Sequence, residues 1–251
     1  MIDLTGKRAL VTGGSRGIGG ATSRLLAQCG ADVVVHYRSR ASVAEAVAGE
    51  LRASGRRAMA IAAELSDRSA VDACFDRVRT LWGGLDIFVG NAGIWPVEEA
   101  AVSTMTDERW QRTMHENIDG MFYSTRAALR LMGSGGRIVL VSSTAGQRGE
   151  AMHADYGASK GAMISFVKSV AAEVAAQGIT VNSVAPGWVD TDMCEEPFAH
   201  GGRERIALAI PVGRIATPQD IAAPIVFLCS AQARHITGEI VNVNGGSVLC
   251  G

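Results

Sequence analysis

Short apolar runs rich in β-branched residues alternate along this chain with longer stretches whose apolar residues recur at helical spacing. The short runs predict buried strands at residues 8–12, 32–37, 58–62, 85–90, 137–141, 179–184 and 239–243. The stretches between them predict helices at residues 18–29, 42–53, 68–81, 107–131, 157–176 and 218–231. Strand and helix therefore alternate along most of the chain.

This alternation restricts the architecture. Strands that are separated by helices cannot pair as hairpins, so they form a parallel sheet through right-handed crossovers. Helices must then cover both faces, which predicts a doubly wound α/β sandwich in one domain spanning residues 1–251. Such sheets bind ligands beyond the carboxyl ends of their strands, where the strand order reverses. The long connection 188–210 follows a strand and contains Pro197, Gly201 and Gly202, so we expect an irregular substrate lid there.

Composition excludes several classes of protein. The 251 residues are 47% hydrophobic and 20% charged, with a net charge of −1, which excludes an intrinsically disordered chain. The near-neutral charge argues against binding to nucleic acid or to a membrane surface through bulk electrostatics. The apolar stretch 222–230 is far shorter than the roughly 20 residues of a transmembrane helix. The first residues lack the basic and apolar regions of a signal peptide, so we expect a cytoplasmic protein.

We expect no metal site. The cysteines are odd in number and scattered, without a Cys-x-x-Cys or Cys/His pair, which predicts reduced and mostly buried thiols. They are Cys29, Cys74, Cys194, Cys229 and Cys250. The acidic residues of the long connection lack histidine partners, so a solvated face of the lid is the better interpretation of them. These are Asp190, Asp192, Glu195 and Glu196.

A glycine-rich segment, TGGSRGIG at residues 12–19, follows the first predicted strand and opens the first helix. Gly13, Gly17 and Gly19 let backbone amides approach a pyrophosphate at the positive end of that helix. A glycine-rich turn without a ligand is the alternative, since this motif alone is weakly specific. Its position between strand and helix favours a dinucleotide site.

The end of the second strand distinguishes between dinucleotides. An NAD site usually has an acidic residue there, which holds the ribose 2′-hydroxyl. This chain has HYRSR at residues 36–40, with Arg38, Arg40 and no carboxylate, and Arg16 lies in the glycine turn. Guanidinium groups suit a 2′-phosphate because they donate charge-assisted hydrogen bonds. The pattern favours NADP(H); NAD(H), or arginines that are merely solvated loop charges, are the alternatives.

Further candidate residues follow the later strands. Asn91-Ala92-Gly93, Ser142-Ser143 and Pro186-Gly187 come after the fourth, fifth and sixth strands. Tyr156 and Lys160 stand near the start of a predicted helix and are four residues apart, so their side chains share one helix face. A phenol and an ammonium group can therefore meet at one point of the site.

Together these motifs resemble the short-chain dehydrogenase/reductase family. The resemblance includes TGGSRGIG, Asn91-Ala92-Gly93, Ser143 ahead of Tyr156-x-x-x-Lys160, Pro186-Gly187, and IVNVNGG at residues 240–246, so it covers essentially the whole chain. The sequence is most similar in character to bacterial 3-oxoacyl carrier-protein reductases and related ketoreductases. The resemblance implies a seven-stranded, Rossmann-like sheet and a homotetramer.

By this resemblance four residues are catalytic. Tyr156 would be the general acid that protonates the carbonyl oxygen as hydride arrives, and Ser143 would orient that carbonyl. Lys160 would hold the nicotinamide ribose, and its cation would favour the Tyr156 phenolate, because an ordinary phenol pKa of about 10 is too high for neutral pH. Asn117 would hold a water that relays protons to Lys160.

The resemblance also implies contacts with the cofactor. It places Arg16 by the pyrophosphate, Arg38 beside the adenosine ribose, and Val189 and Thr191 at the nicotinamide carboxamide. Glu64, near the adenine, departs from the commoner Asp or Asn. The expected cofactor-binding residues are Gly13, Ser15, Arg16, Gly17, Ile18, Gly19, Tyr37, Arg38, Ser39, Glu64, Leu65, Asn91, Ala92, Gly93, Tyr156, Lys160, Pro186, Gly187, Val189 and Thr191.

Three more side chains lie near these motifs in the sequence. His153, three residues before Tyr156, is expected to touch the substrate, whereas the other histidines show no ligand spacing. Trp95 and Trp188 follow site segments, and lining the pocket or packing in the core explains them equally well.

The favoured function is the NADPH-dependent reduction of a ketone or 3-oxoacyl group to a secondary alcohol. An alcohol or sugar dehydrogenase would use the same residues in reverse, with NAD(H) or NADP(H). A dinucleotide-binding protein without turnover and a methyltransferase, which shares only the glycine turn, are remote alternatives. An acyl carrier protein is a less supported partner than a small carbonyl compound. Residues 134–136 and Gln177 replace the basic residues that carrier-protein reductases usually have there, although Arg130 and Arg137 are nearby.

Overall fold

The computed structural model describes residues 2–249, whose strands form one seven-stranded parallel sheet. The strands are β1 (Arg8–Val11), β2 (Asp32–Tyr37), β3 (Ala58–Ala62), β4 (Leu85–Gly90), β5 (Met132–Val141), β6 (Thr180–Pro186) and β7 (Ile240–Val243). The helices are α1 (Gly17–Gln28), α2 (Ala41–Ala53), α3 (Arg68–Trp82), α4 (Asp107–Met114), α5 (Gly120–Leu131), α6 (Thr144–Arg148), α7 (Ala154–Val174), α8 (Glu195–Phe198), α9 (Gly202–Ala209) and α10 (Pro218–Leu228).

The strand order is β3-β2-β1-β4-β5-β6-β7, and every neighbouring pair is parallel. The chain winds outward in one direction from β1 to β3, and in the other from β4 to β7. The order therefore reverses between β1 and β4, where the two first crossovers leave on opposite sides. This confirms the predicted doubly wound sheet and locates the crevice that such a reversal creates.

The sheet buries apolar side chains on both faces. In β1, Ala9 and Val11 pack into the core layer beneath α1, α2 and α10, whereas Leu10 packs into the opposite layer beneath α3, α5 and α7. Successive strand residues point to opposite faces, so a strand covered on both sides must be apolar throughout. This is why the strands appear in the sequence as continuous apolar runs.

Local sequence fixes several helix ends. The Asp67 side chain caps α3 by accepting hydrogen bonds from the Ser69 and Ala70 amides, and Gly83 ends the helix at a φ of 74°. Thr217 and Asp220 form a reciprocal capping box at the start of α10, with Pro218 as its first residue. The predicted start at residue 218 is therefore confirmed.

Two expectations about regular elements were wrong. The helix expected at 107–131 is interrupted by a π-helical segment, His115–Asp119, which separates α4 from α5. The connection 188–210 is not irregular, since it contains a 3₁₀ turn at Asp192–Cys194 followed by α8 and α9. β5 also starts earlier than predicted, but its first residues bulge, and regular pairing with β4 begins between Ile87 and Arg137.

Other expectations concern single residue types. Cys29 and Cys194 are half-buried and Cys74 and Cys229 are buried, all as free thiols, while Cys250 lies outside the described residues. Within residues 2–249, no three or more His, Cys, Asp or Glu side chains group in a way that could hold a metal ion. No helix in that range is both long and apolar enough to span a bilayer.

Candidate active site

A crevice of about 720 Å³ opens beyond the carboxyl ends of the strands, where the sheet order reverses. Its volume lies within the range of roughly 300–1,000 Å³ that is typical of small-molecule sites. Segments that follow β1, β2, β4, β5 and β6 all contribute to its walls. The loops that the sequence singled out therefore meet at one place.

The glycine turn forms one end of the crevice. Gly17 has a φ of 51°, and a Cβ there would lie 3.2 Å from Cγ2 of Thr191, so the turn needs glycine on both conformational and steric grounds. Arg16, which precedes α1, makes no side-chain cap, so the first amides of the helix are available to an anion. These features fit the pyrophosphate of a dinucleotide.

Gly19 has a different position from the one expected. It does not line the crevice; instead, a Cβ at this residue would lie 2.2 Å from the Gly13 carbonyl oxygen. The absence of a side chain therefore lets α1 pack against the turn, and we infer no direct ligand contact.

The side chain of His36, on β2, is hydrogen-bonded to the glycine turn. Its Nδ1 accepts a hydrogen bond from the Gly13 amide at 3.1 Å, so Nε2 carries the proton and donates it to the Ala63 carbonyl oxygen, also at 3.1 Å. Burial lowers the pKa of His36 to about 4, even though the Ala63 carbonyl and Glu64 favour its cation. The ring is therefore neutral at physiological pH. The role of this histidine was not predicted from the sequence, although a histidine in a valine-rich strand just before the cofactor loop was a usable signal.

Three arginines line the ribose end of the crevice, and acidic side chains pair with all of them. Asp192 Oδ2 accepts hydrogen bonds from Arg16 at 2.6 Å and from Arg40 at 3.0 Å. Arg38 is bound by both carboxylate oxygens of Glu116, at 2.7 and 2.8 Å. The interpretation of Asp192 as part of a solvated face was therefore incomplete. Guanidinium groups remain concentrated where a 2′-phosphate would lie.

Tyr156 and Lys160 lie on α7 and face the same wall of the crevice as Ser143. The Lys160 Nζ lies 5.8 Å from the centre of the Tyr156 ring and donates a hydrogen bond to the Val141 carbonyl oxygen at 2.9 Å. Ser143 caps α6, since its Oγ accepts a hydrogen bond from the Ala145 amide, and it also interacts with the Tyr156 hydroxyl. Three polar groups are thus brought to one point.

Burial governs the titration of this group. It raises the pKa of Tyr156 above its ordinary value; the interaction with Ser143 opposes this shift, and the charge of Glu150 adds to it. Burial also lowers the pKa of Lys160, to about 8. Lys160 is not among the groups that shift the pKa of Tyr156 in the chain alone, so the lowering of that pKa by the lysine cation stays a prediction. The phenol is protonated at neutral pH.

Asn117 lies in the π-helical segment behind this group and does not line the crevice. Its amide donates hydrogen bonds to the Ile94 carbonyl and to Ser159, and its Oδ1 accepts one from the Ile94 amide at 2.8 Å. A Cβ at Gly93 would lie 3.1 Å from that Oδ1 and 3.4 Å from Lys160 Nζ. Asn117 and Lys160 therefore approach each other across Gly93.

Asp155, which precedes Tyr156, is fully buried and was not identified from the sequence. Its carboxylate accepts hydrogen bonds from Thr113 at 2.8 Å and from Arg109 at 3.1 Å, both on α4. Burial disfavours its charge, but these hydrogen bonds, that of the Tyr156 amide and the Arg109 charge outweigh burial, so the pKa of Asp155 is lowered. The contacts fix the start of α7, and hence Tyr156, against α4.

Trp95 and Trp188 line the other end of the crevice. Of the two interpretations of these residues, lining the pocket and packing in the core, the first is therefore the correct one. His153 does not line the crevice; it is 5% exposed and stacks behind Trp95, with ring centres 4.9 Å apart. Glu150 also lines this end, where burial raises the pKa of its carboxyl group. It was missed because nothing in its sequence context marks it.

The crevice thus brings together most of the expected residues. Of the expected catalytic residues it includes all but Asn117, and of the cofactor set all but Gly19. The expected residues that line it are Gly13, Ser15, Arg16, Gly17, Ile18, Tyr37, Arg38, Ser39, Glu64, Leu65, Asn91, Ala92, Gly93, Ser143, Tyr156, Lys160, Pro186, Gly187, Val189 and Thr191.

Comparisons with known proteins agree with this geometry. Residues 13–247 match the family model described as enoyl-(acyl carrier protein) reductase. A 3-oxoacyl-[acyl-carrier-protein] reductase of Synechocystis sp. is 40% identical over 252 residues, covering 99% of this chain and 100% of the relative.

Solved structures have the same fold. A short-chain dehydrogenase from Burkholderia cenocepacia in complex with NADP has a TM-score of 0.90 and 40% identity, covering 97% of this chain and 98% of that chain. The angucycline C-6 ketoreductase LanV with bound NADP has a TM-score of 0.92 and 37% identity, covering 99% and 98%. Since sequence and fold agree over nearly the whole length, this chain belongs to the short-chain dehydrogenase/reductase family.

Proposed function

We propose that this protein is an NADPH-dependent reductase that converts a ketone or 3-oxoacyl carbonyl group into a secondary alcohol. The observation that carries the proposal is the convergence of Tyr156, Ser143 and Lys160 on one wall of a crevice that ends at the glycine turn. Similarity to a 3-oxoacyl reductase and to an NADP-bound ketoreductase supports this activity.

The chain's own residues fit a cofactor with a 2′-phosphate. The glycine turn and the start of α1 would hold the pyrophosphate, and Arg16, Arg38 and Arg40 would hold the phosphate on the ribose. Lys160 and Asn91 would contact the nicotinamide ribose. When bound, NADPH supplies the hydride that the carbonyl carbon receives.

Tyr156 supplies the proton in this mechanism. Its hydroxyl, protonated at neutral pH, transfers a proton to the carbonyl oxygen as negative charge develops there. The Ser143 hydroxyl donates a hydrogen bond to the same oxygen and so orients the carbonyl. Lys160, held by the Val141 carbonyl, places its positive charge beside the phenolate that results and stabilises it.

Asn117 would help to return a proton to Tyr156, and its side-chain oxygen would be the atom involved. Both amide hydrogens are engaged by Ile94 and Ser159, and one lone pair of Oδ1 is engaged by the Ile94 amide. The second lone pair is left to accept a hydrogen bond from a water between Asn117 and Lys160. Such a water would return a proton to Tyr156 by way of Lys160.

Replacing Tyr156 with Phe tests the proposal. We expect kcat for ethyl acetoacetate and for 3-oxobutanoyl-N-acetylcysteamine to fall by about 10³-fold, because general acid catalysis is lost. NADP⁺ affinity, measured by titration calorimetry, should change by less than about twofold, since only a hydroxyl is removed. An unchanged rate would overturn the assignment of the acid. Wild-type turnover of crotonyl-N-acetylcysteamine but of no ketone would overturn carbonyl reduction itself.

A free carbonyl compound is the substrate that we propose, with carrier-protein docking as the weaker alternative. Arg137 is a poor docking residue because its guanidinium donates to the carbonyl oxygens of Gly135, Gly136 and Gly178. Comparing kcat/KM for the same 3-oxobutanoyl group on acyl carrier protein and on N-acetylcysteamine tests this. We expect less than a threefold preference for the carrier, and a preference above tenfold would establish docking.

We propose that the protein is a homo-oligomer, a homotetramer by family resemblance, with a face on α5 and α7 in the contact. Phe122 is 40% exposed and packs edge-on against Phe166, and the Arg126 guanidinium lies over the rings of Phe122 and Tyr123. Two buried nitrogens of Arg126 have no hydrogen-bond partner among the described residues. Sedimentation equilibrium of wild type and Phe122→Glu tests this: a tetramer should dissociate in the variant, and a monomeric wild type would refute it.

We further propose a single domain with residues 188–210 as its lid, and a cytoplasmic location. Within that segment Trp188 contacts Phe198, and Asp192 contacts the glycine turn, so the segment spans both ends of the crevice. Limited proteolysis should cut within 188–210 first, and more slowly with NADP⁺ present. Cutting elsewhere first would refute the lid. Fractionation of the producing cells tests the location.

A further inference from the structure

The substrate end of the crevice has an aromatic wall whose composition bears on which ketone it accepts; this inference rests on the function proposed above. The aromatic wall consists of Trp95 and Trp188, with His153 behind Trp95 and Phe198 packed against Trp188 outside the crevice. Trp95 and Trp188 meet edge to face with ring centres 6.1 Å apart, and Trp188 and Phe198 follow at 5.9 Å. Both tryptophans border the same crevice as Tyr156 and Ser143.

Trp95 is held in place from two sides. His153 stacks on the indole at 4.9 Å with planes 22° apart, and His153 is itself 5% exposed. The indole N–H donates to the carboxylate of Glu150, which borders the crevice. A side chain fixed by a stacked neighbour and a hydrogen bond loses little entropy when a ligand packs on it.

The planes of the two indole rings are 86° apart, so their faces point in different directions. Aromatic groups attract one another through the negative face of one ring and the positive edge of another, which adds roughly 2- to 13-fold to an equilibrium constant beyond area burial. A saturated or open-chain group of the same size gains only the area contribution. The wall therefore discriminates by aromaticity rather than by size alone.

We propose that Trp95 and Trp188 select substrates whose carbonyl is carried on an aromatic ring system over open-chain 3-oxoacyl thioesters. The carbonyl group lies at Tyr156 and Ser143, and the ring lies against the aromatic wall. Glu150 and His153 act as positioning residues that fix Trp95.

Two ketones that share one bicyclic carbon skeleton test this selection. 2-Tetralone has one aromatic ring and trans-2-decalone has none, so their kcat/KM ratio isolates aromaticity. We expect a ratio of about 5 or more in the wild type, and kcat/KM for 2-tetralone at least about 10-fold above that for 3-oxobutanoyl-N-acetylcysteamine. A tetralone-to-decalone ratio near 1, or a preference for the thioester, would overturn the proposal.

Variants assign the effect to the wall. Trp188→Leu and Trp95→Leu keep apolar bulk and should bring the tetralone-to-decalone ratio close to 1, whereas Trp188→Phe should retain at least half of it. Trp110→Leu is the matched control, because Trp110 is 43% exposed on α4 and does not line the crevice. A ratio unchanged in both leucine variants would refute the role of the wall.

A binding experiment separates failure of this proposal from failure of the proposed function. Calorimetric titration of both ketones into wild-type protein saturated with NADP⁺ needs no turnover, and 2-tetralone should bind about 5-fold more tightly. Equal binding would overturn the selection while leaving carbonyl reduction intact. Equal turnover of both ketones would do the same. Failure to oxidise NADPH with any carbonyl compound, despite selective binding of 2-tetralone, would instead overturn the reductase function.

Discussion

His36 should make the protein less stable in mild acid. The buried imidazole is neutral, and its pKa of about 4 lies below the 6.5 of an unperturbed histidine. Between those values the unfolded chain binds a proton that the folded chain does not, so stability decreases as pH falls through this window. Protonation would also put a hydrogen on Nδ1, opposite the Gly13 amide that donates to it.

The magnitude follows from the two pKa values. The shift corresponds to about 3 kcal/mol when complete, at 1.36 kcal/mol per unit of pKa. Between pH 8 and pH 5, where the folded ring stays neutral, it amounts to a loss of about 2 kcal/mol of unfolding free energy. The full loss is reached only below pH 4, where carboxylates also titrate.

Urea unfolding at half-unit steps from pH 5 to pH 8, at one subunit concentration, measures this loss. In His36→Asn the carboxamide can still accept from Gly13 but cannot titrate, so the fall in unfolding free energy should be smaller by about 2 kcal/mol. His235→Asn, which removes an exposed histidine, is the control and should follow the wild type. Parallel curves for wild type and His36→Asn would refute the assignment of the buried neutral ring.

Three further substitutions test the cofactor end and the proton donor. Arg38→Asp should raise the Kd for NADPH by about 50-fold and that for NADH by less than threefold, because a charge-assisted contact to the 2′-phosphate is lost. Arg77→Asp, on α3, is the control, and equal losses of affinity for both cofactors in Arg38→Asp would refute the contact. Asp192→Asn removes the carboxylate that pairs with Arg16 and Arg40, so NADP⁺ should bind about threefold more tightly while the affinity for NAD⁺ stays unchanged. Weaker binding of NADP⁺ in a calorimetric titration would contradict this. Gly93→Ala should displace the Asn117 side chain, whose Oδ1 would lie 3.1 Å from the new Cβ, by a few tenths of an ångström and lower kcat by about 10-fold with little change in thermal stability. An unchanged kcat would show that the site tolerates the shift of Asn117.

Apolar runs predicted the position of every strand of the sheet, because the strands pack beneath helices and are largely apolar. The bounds of β2, β3 and β4 were predicted without error, whereas the fully buried β6 extends to Pro186, two residues beyond its predicted end. The π-helical segment was not predicted, since its cause is not local. Asn117 contacts Ile94, 23 positions earlier in the chain, and that contact is absent from the sequence pattern.

The site shows the same division between local and distant causes. Spacing placed Tyr156 and Lys160 on one helix face, and family resemblance supplied the role proposed for each. Spacing along the sequence does not show how deeply a side chain is buried, so the effect of burial on the pKa values of Tyr156 and Lys160 was not predicted. The contact between Arg16 and Asp192 spans 176 positions and exists only because α1 and the connection after β6 meet in space.

The π-helical segment gives the chain an unusual sensitivity to insertion and deletion. A π turn holds about one residue more than an α turn, and each residue turns a helix by about 100°. Deleting one residue from His115–Asp119 would therefore change the wide turn into an α turn and leave α5 in phase with α4, so Phe122 and Arg126 would keep their present direction. The same deletion would draw Asn117 away from Ile94. The extra residue of the wide turn thus positions Asn117 near Lys160 without changing the outer surface of the subunit, and length here is constrained more tightly than the identity of exposed side chains such as His115.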